Sequence, residues 1–224
     1  MNYLLVFLKE ISNNLFEPIT SLTDLILSIS CFYFFFAIRK FKNINGHVNN
    51  WSRFFLFLGI STLLGSILHA TPFRNNNSYN TLWILMQLLS GLSVFFAQSA
   101  AFRYQISNLK VRKILIFLSW VQLLIFIPCV FYFFNFKVVA VNSLITLIQL
   151  IIIYFPISKN EVLLRSQISF GFLISFLTVY VNHKRLSVFV WLNHNDIAHL
   201  IMYISIFLVF RGIKYKHHSE TIFQ

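Results

Sequence analysis

The chain has 224 residues, 58% of them hydrophobic and only 11% charged, with a mean hydropathy of +0.73. A water-soluble domain carries about a quarter charged residues, so a soluble globular protein is excluded for want of polar surface. The net charge of +12 does not mark a nucleic-acid binder, because the basic residues form short clusters between apolar runs, as in proteins oriented by loop charge.

A membrane-spanning helix needs about 20 residues, so seven would use about 140 and leave about 84 for loops and ends. The expected fold is therefore all-α: a polytopic membrane protein of seven transmembrane helices in a single domain, 1–224. The opening residues, MNYLLVFLKE, hold too short an apolar stretch for a cleavable signal and are read as mature protein.

The first span is expected over Ser21–Ile38, with Asp24 near its start. Glu10, Glu17 and Asp24 are spaced by sevens, and Pro18 is expected to break any helix joining them. The second span, Phe54–Ala70, ends on His69. Its Thr62, Ser66 and His69 share one face at i, i+4, i+7. The third, Leu82–Phe102, presents Trp83, Gln87 and Ser90 along one side. The fourth is Ile114–Phe134 and the fifth Val138–Ile157. Asn142, Thr146 and Gln149 form a stripe on the fifth that is readable as a site or as hydrogen-bonding glue between helices. The sixth, Ile168–Val181, is the weakest, its start open as far back as Glu161. The seventh runs Asp196–Phe210, and Asp196, His199 and Tyr203 share a face.

Past it, Lys214-Tyr-Lys-His-His218 reads as an anchor to anionic lipid, with a metal role for His217 and His218 as the lesser alternative. Cys31 and Cys129 lie in apolar runs and provide neither a disulfide framework nor a metal pair.

Loop charge sets the orientation. Arg39, Lys40, Lys42, Arg53, Arg103, Lys110, Arg112, Lys113, Lys159, Arg165, Arg211, Lys214 and Lys216 fall on one side. Only Lys9, Arg74, Lys137, Lys184 and Arg185 fall on the other. The positive-inside rule then puts the N-terminus outside and the C-terminus in the cytoplasm.

Ionisable groups within a membrane are costly, so each is a functional candidate. In this orientation Glu17, Asp24, His69, His194, Asp196 and His199 all fall in the outer half. The run Asn193-His-Asn-Asp-Ile-Ala-His199 is the densest polar cluster. A His and a carboxylate one turn apart, with a second His from another helix, can hold a divalent ion. Three ligands and an open position make a catalytic zinc geometry. In the alternative, Asn193 or Asn195 caps the last helix, Asp196 complements its dipole, and Asp24 is a cap or packing partner.

Gly65-Ser66-Ile-Leu-His69, Met86-Gln-Leu-Leu-Ser90 and Asn195-Asp-Ile-Ala-His199 together resemble motifs of the CREST superfamily of seven-helix membrane hydrolases, which includes alkaline ceramidases and progestin/adiponectin receptors. The likeness is closest to a bacterial branch of that group. Ser66 stands three residues before His69 where four is usual, Ser90 stands where the family has Asp, and Asn195 replaces the first His of a His-x-x-x-His pair. The resemblance implies zinc held by His69 and His199, with His194 or Asp196 as third ligand. It implies an activated water that cleaves a lipid amide or ester. Ser66 would donate to the oxyanion, Asp24 would orient or accept a proton, Asp196 is a further catalytic candidate, and Gln87, Ser90 and Tyr203 are the candidates to contact substrate. Membrane lipid is both environment and expected substrate, the bacterial inner membrane is the expected setting, and the oligomeric state stays open.

The departures at Ser90 and Asn195 favour an alternative, a non-enzymatic lipid- or ion-binding sensor on the same scaffold. A retinal protein is disfavoured, since Asp196–Phe210 contains no Lys. A transporter built on broken helices is disfavoured by 6 Gly and 4 Pro with no matching pair of interrupted segments. A haem held by His69 and His199 remains a minor alternative.

Overall fold

The computed structural model describes residues 17–41, 46–72, 76–155, 162–189 and 192–222, without the side chains of 162–165 and 215–222. Seven helices are formed among them: α1 Pro18–Arg39, α2 Gly46–Ala70, α3 Asn77–Gln105, α4 Leu109–Phe133, α5 Lys137–Tyr154, α6 Val162–Lys184 and α7 His194–Ile222. Six are long and apolar enough to cross a membrane, all but α6, and the chain is an integral membrane protein.

Most helices outrun the apolar runs that announced them. The second begins at Gly46, well before Phe54, and the third at Asn77, before Leu82. An apolar run marks only the part of a helix that meets lipid. The ends extend wherever a polar side chain satisfies free backbone N–H groups. Asn76 accepts from Tyr79 N (2.6 Å), and Asn108 accepts from Lys110 N and Val111 N (3.0 and 3.2 Å). Pro18 opens α1 at a position where its missing N–H costs nothing. The fifth helix stops at Tyr154, and residues 156–157 of the expected span lie outside the described residues, as does Glu10. The seventh continues through Ile222, so His217 and His218 are helical rather than tail residues.

Chain neighbours pack together around the bundle, and α1 closes it by lying against both α2 and α7. Helix α3 also packs on α5, which leaves α4 on the outside against α3 and α5. In lipid the hydrophobic effect does not draw helices together, so close approach and hydrogen bonds must do so. Ser28 donates to the Gly59 carbonyl (2.8 Å) across α1 and α2, and Ser61 donates to the Met86 carbonyl (2.9 Å) across α2 and α3. Ser175 and Ser205 share a short hydrogen bond between α6 and α7.

One face of α1 carries Thr20, Asp24, Leu27, Cys31, Phe34 and Ile38, all buried. Its C-terminal stretch joins the apolar core. There Phe34 stacks on Phe210 at 4.3 Å and meets Phe55 edge-on at 5.3 Å. Its N-terminal stretch is polar, at Thr20 and Asp24. Cys31 and Cys129 are free thiols.

The stripe on the fifth helix serves as glue. Gln98 Nε2 of α3 shares its two N–H groups among Gln122 Oε1, Thr146 Oγ1 and Gln149 Oε1, which lie 2.9, 3.0 and 2.7 Å away. Gln122 Nε2 of α4 donates to Asn142 Oδ1 and Thr146 Oγ1 (2.8 and 3.1 Å). Gln122→Leu is expected to cost about 1–2 kcal/mol and to loosen α4 selectively, because it strands the partners of a half-buried amide. Unfolding in mixed detergent, with cysteine labelling at Cys129 as the local probe, checks this.

Candidate functional site

Two imidazoles from different helices converge on one carboxylate. His69 stands near the end of α2, His199 in the second turn of α7, and Asp24 between them on α1. His199 Nε2 lies 3.4 Å from Asp24 Oδ1, and His69 Nε2 lies 3.9 Å from Asp24 Oδ2. The two rings are 6.3 Å apart. The Asp24 side chain is 6% exposed, against 14% for His199 and 23% for His69, so the cluster grades from a buried carboxylate toward a more open rim.

The far nitrogen of each ring is held. His69 Nδ1 meets Glu17 Oε2 at 2.6 Å, and the Glu17 N–H donates to the His69 carbonyl (3.0 Å). His199 Nδ1 meets Thr23 Oγ1 at 3.0 Å. Thr23 gives its hydroxyl hydrogen to the Thr20 carbonyl (3.0 Å), so toward His199 it is an acceptor. An ionised Glu17 is likewise only an acceptor. The hydrogen-bond pattern thus assigns Nδ1–H to both rings. In neutral rings each Nε2 then carries a lone pair aimed at a carboxylate oxygen. Acceptor facing acceptor is repulsive, and either a proton or a cation between the groups relieves it.

Two imidazole nitrogens and a carboxylate are a familiar donor set for zinc. The other nitrogen of a ligating His normally donates to a carboxylate or other oxygen, as both do here. The seat of Asp24 is also cut to size. A Cβ on Gly65 would come within 2.6 Å of Asp24 Oδ2, so a side chain there would displace the carboxylate. The donor chemistry therefore fits a divalent ion. As they stand, no three His, Cys, Asp or Glu side chains among the described residues are gathered closely enough to chelate one.

Asp196 has a structural task beside this cluster. Asn193 Oδ1 accepts from Asn195 N and Asp196 N (2.7 and 3.3 Å), while Asp196 Oδ2 accepts from Asn193 N (2.8 Å). This reciprocal cap starts α7, as the capping alternative anticipated. Asn193 Nδ2 then donates to Thr20 Oγ1 (3.1 Å), tying the cap to α1. Asp196 is fully buried, and its Oδ1 has no hydrogen-bond partner. His194 is the first residue of α7 and half-buried.

The remaining candidates lie elsewhere or face inward. Ser21 Oγ donates to the Ser66 carbonyl (2.9 Å), so in the 3.1 Å contact between the two hydroxyls Ser66 is the donor. Its hydroxyl hydrogen is committed to α1. Gln87 is fully buried, where its amide accepts from Trp83 Nε1 (2.7 Å) and donates to the Asn135 carbonyl (3.3 Å). Ser90 offers its carbonyl to Ser93 Oγ (2.8 Å). Tyr203 is 38% exposed and stacks along Phe207, below the His199 turn. The contacts around the two imidazoles draw on Thr23 and Asp24 of α1 and on Glu17 just before it. Glu17 had been singled out only by its depth, with no role, and Thr23 not at all. The signal for them was the i, i+3, i+4 set Thr20, Thr23, Asp24 and the seven-residue step from Glu17 to Asp24, which puts both carboxylates on one helical face.

No curated protein and no solved structure matches the chain. A family of unknown function, DUF6962, matches over residues 19–218, which takes in all seven helices apart from the outer ends of the first and last. The chain belongs to this DUF6962 family.

Proposed function

We propose that the chain is a zinc-dependent intramembrane hydrolase acting on a lipid amide or ester, with the metal held by His69, His199 and Asp24. One observation carries the reading: two imidazoles, each tied at Nδ1, turn Nε2 toward a single buried carboxylate. Zinc bound there would supply Lewis acidity, lowering the pKa of water and polarising an acyl carbonyl. Asp24 brings negative charge to balance the metal and is kept in place by the cleft at Gly65. His69 is the more exposed of the two rings, so substrate approaches from its side. Asp196, with one free buried oxygen, is the nearby group able to take up a proton. The loop charges support an N-terminus outside, which sets the site in the outer half of a bacterial inner membrane.

A non-enzymatic lipid- or ion-binding sensor is the second reading. It is favoured by Ser66, whose hydroxyl hydrogen is engaged by Ser21 and not offered to a substrate oxyanion.

Elemental analysis of detergent-purified protein is expected to find about one zinc per chain, the stoichiometry of a single three-ligand site. His69→Ala and His199→Ala should each lose it. Incubation with ceramide and phospholipid substrates then separates the two readings. Hydrolysis that disappears in His199→Ala supports the enzyme. Zinc binding and thermal stabilisation by lipid without turnover supports the sensor, and a metal-free wild type sinks the zinc reading.

A further inference from the structure

We infer that Glu17, the residue just before α1, and Thr23 of α1 are positioning residues that lock His69 and His199 in the Nδ1–H form, so that both Nε2 lone pairs face Asp24. The inference rests on the metal reading above only for its affinity readout; the tautomer lock stands on the protein's own hydrogen bonds.

Four observations carry it. Each ring has one long-range partner at Nδ1, at 2.6 Å for His69 and 3.0 Å for His199. Each partner is an acceptor by its own chemistry: Glu17 as a carboxylate, Thr23 because its hydrogen goes to Thr20. Each ring presents Nε2, not Nδ1, to Asp24. Glu17 is itself anchored, since its backbone N–H is bonded to the carbonyl of the very histidine it holds. A ring pinned at one nitrogen cannot rotate about its bond to Cβ without breaking that bond. Fixing Nδ1 therefore fixes both the tautomer and the direction of Nε2. Thr23 and Asp24 come from the first two turns of α1 and Glu17 from the residue just before it, so one short stretch of chain supplies the groups that face both imidazoles.

Nitrogen-15 NMR of histidine-labelled, metal-free protein reads the tautomer directly, at a pH above the ordinary imidazole range. Wild type is expected to show His69 and His199 with protonated Nδ1 and bare Nε2. Thr23→Val should release His199 alone, and Glu17→Leu should release His69 alone. Thr23→Ser keeps the hydroxyl and should preserve both signals, whereas Glu17→Gln adds a donor at Nδ1 and should shift His69 toward the Nε2–H form. Zinc affinity, measured by competition with a chelating dye, should fall about 10–100-fold in Thr23→Val and Glu17→Leu, the usual loss when the partner of a ligating His is removed. Thr23→Ser should stay close to wild type. A protonated Nε2 in wild type, or Thr23→Val and Glu17→Leu spectra identical to wild type, would overturn the inference. A wild type that shows the expected tautomers but takes up no zinc upholds the lock and rejects the metal reading.

Discussion

Asp24→Asn is expected to strip the protein of zinc while leaving it folded as well as before, or better. The carboxylate sits buried between two imidazoles whose near nitrogens, in the Nδ1–H form, are acceptors. An asparagine of the same shape fits beside Gly65 without a new clash, and its amide N–H can donate to one of the Nε2 lone pairs. A repulsive contact becomes a hydrogen bond worth about 1 kcal/mol, while the anionic metal ligand is gone. Stability and metal binding should therefore move in opposite directions, as expected where a site is held under electrostatic conflict for function. Asp196→Asn provides the contrast. Its amide oxygen can still cap Asn193 N, so it should lose only the charge at the start of α7, about 0.3–1 kcal/mol, and keep its zinc. Metal content and detergent unfolding of both variants decide the matter. If Asp196→Asn loses zinc and Asp24→Asn retains it, the third ligand is Asp196.

A large loss of stability is expected from Gly171→Ala. A Cβ at that position would meet the Ser205 carbonyl at 2.8 Å and Val209 Cγ2 at 2.9 Å. The first contact is backbone, which cannot swing aside as a side chain would, so α6 and α7 must separate. Overpacking of this kind costs about 1–3 kcal/mol, and here it also stretches the Ser175–Ser205 hydrogen bond. Gly46→Ala is the control. Its Cβ would meet nothing nearer than Arg103 Nη1 at 3.7 Å, so a change within about 0.5 kcal/mol is expected. Unfolding followed by tryptophan fluorescence in detergent compares the two. Equal midpoints would mean that α6 is free to move away from α7.

The sixth helix shows why apolar runs alone could not complete the fold. It extends over Val162–Lys184, yet Arg165, Ser166, Gln167 and Ser169 crowd its first turns and dilute its hydropathy. Its contact with α7 runs through Gly171 and Ser175, residues chosen for closeness rather than greasiness. The other six helices hold long apolar windows and announce themselves. The site was legible in part for a similar reason. Charged and imidazole side chains are rare in this chain, so the shared depth of Asp24, His69, Asp196 and His199 stood out. Which carboxylate faces the imidazoles was not legible. Depth places Asp24 and Asp196 alike, and only the rotation of α1 against α2 and α7 separates them. Glu17 was hidden by the proline after it, which reads as a break but is the first residue of the helix it begins.

The meeting of α1 with α7 has a consequence for biosynthesis. Thr23 and His199 are 176 positions apart, so nearly the whole protein must be made before their bond can form. A nascent chain holding α1 and α2 carries Asp24, Glu17 and His69, three of the polar groups, with the second imidazole still untranslated. During that interval Glu17 and His69 can already pair with each other, while Thr23 and Asp24 wait for His199. Completion of the last helix closes the ring and the site in one event. A ribosome stalled before α7 would leave a product with exposed intramembrane charge, the kind of defect by which membrane quality control distinguishes an unfinished chain from a finished one.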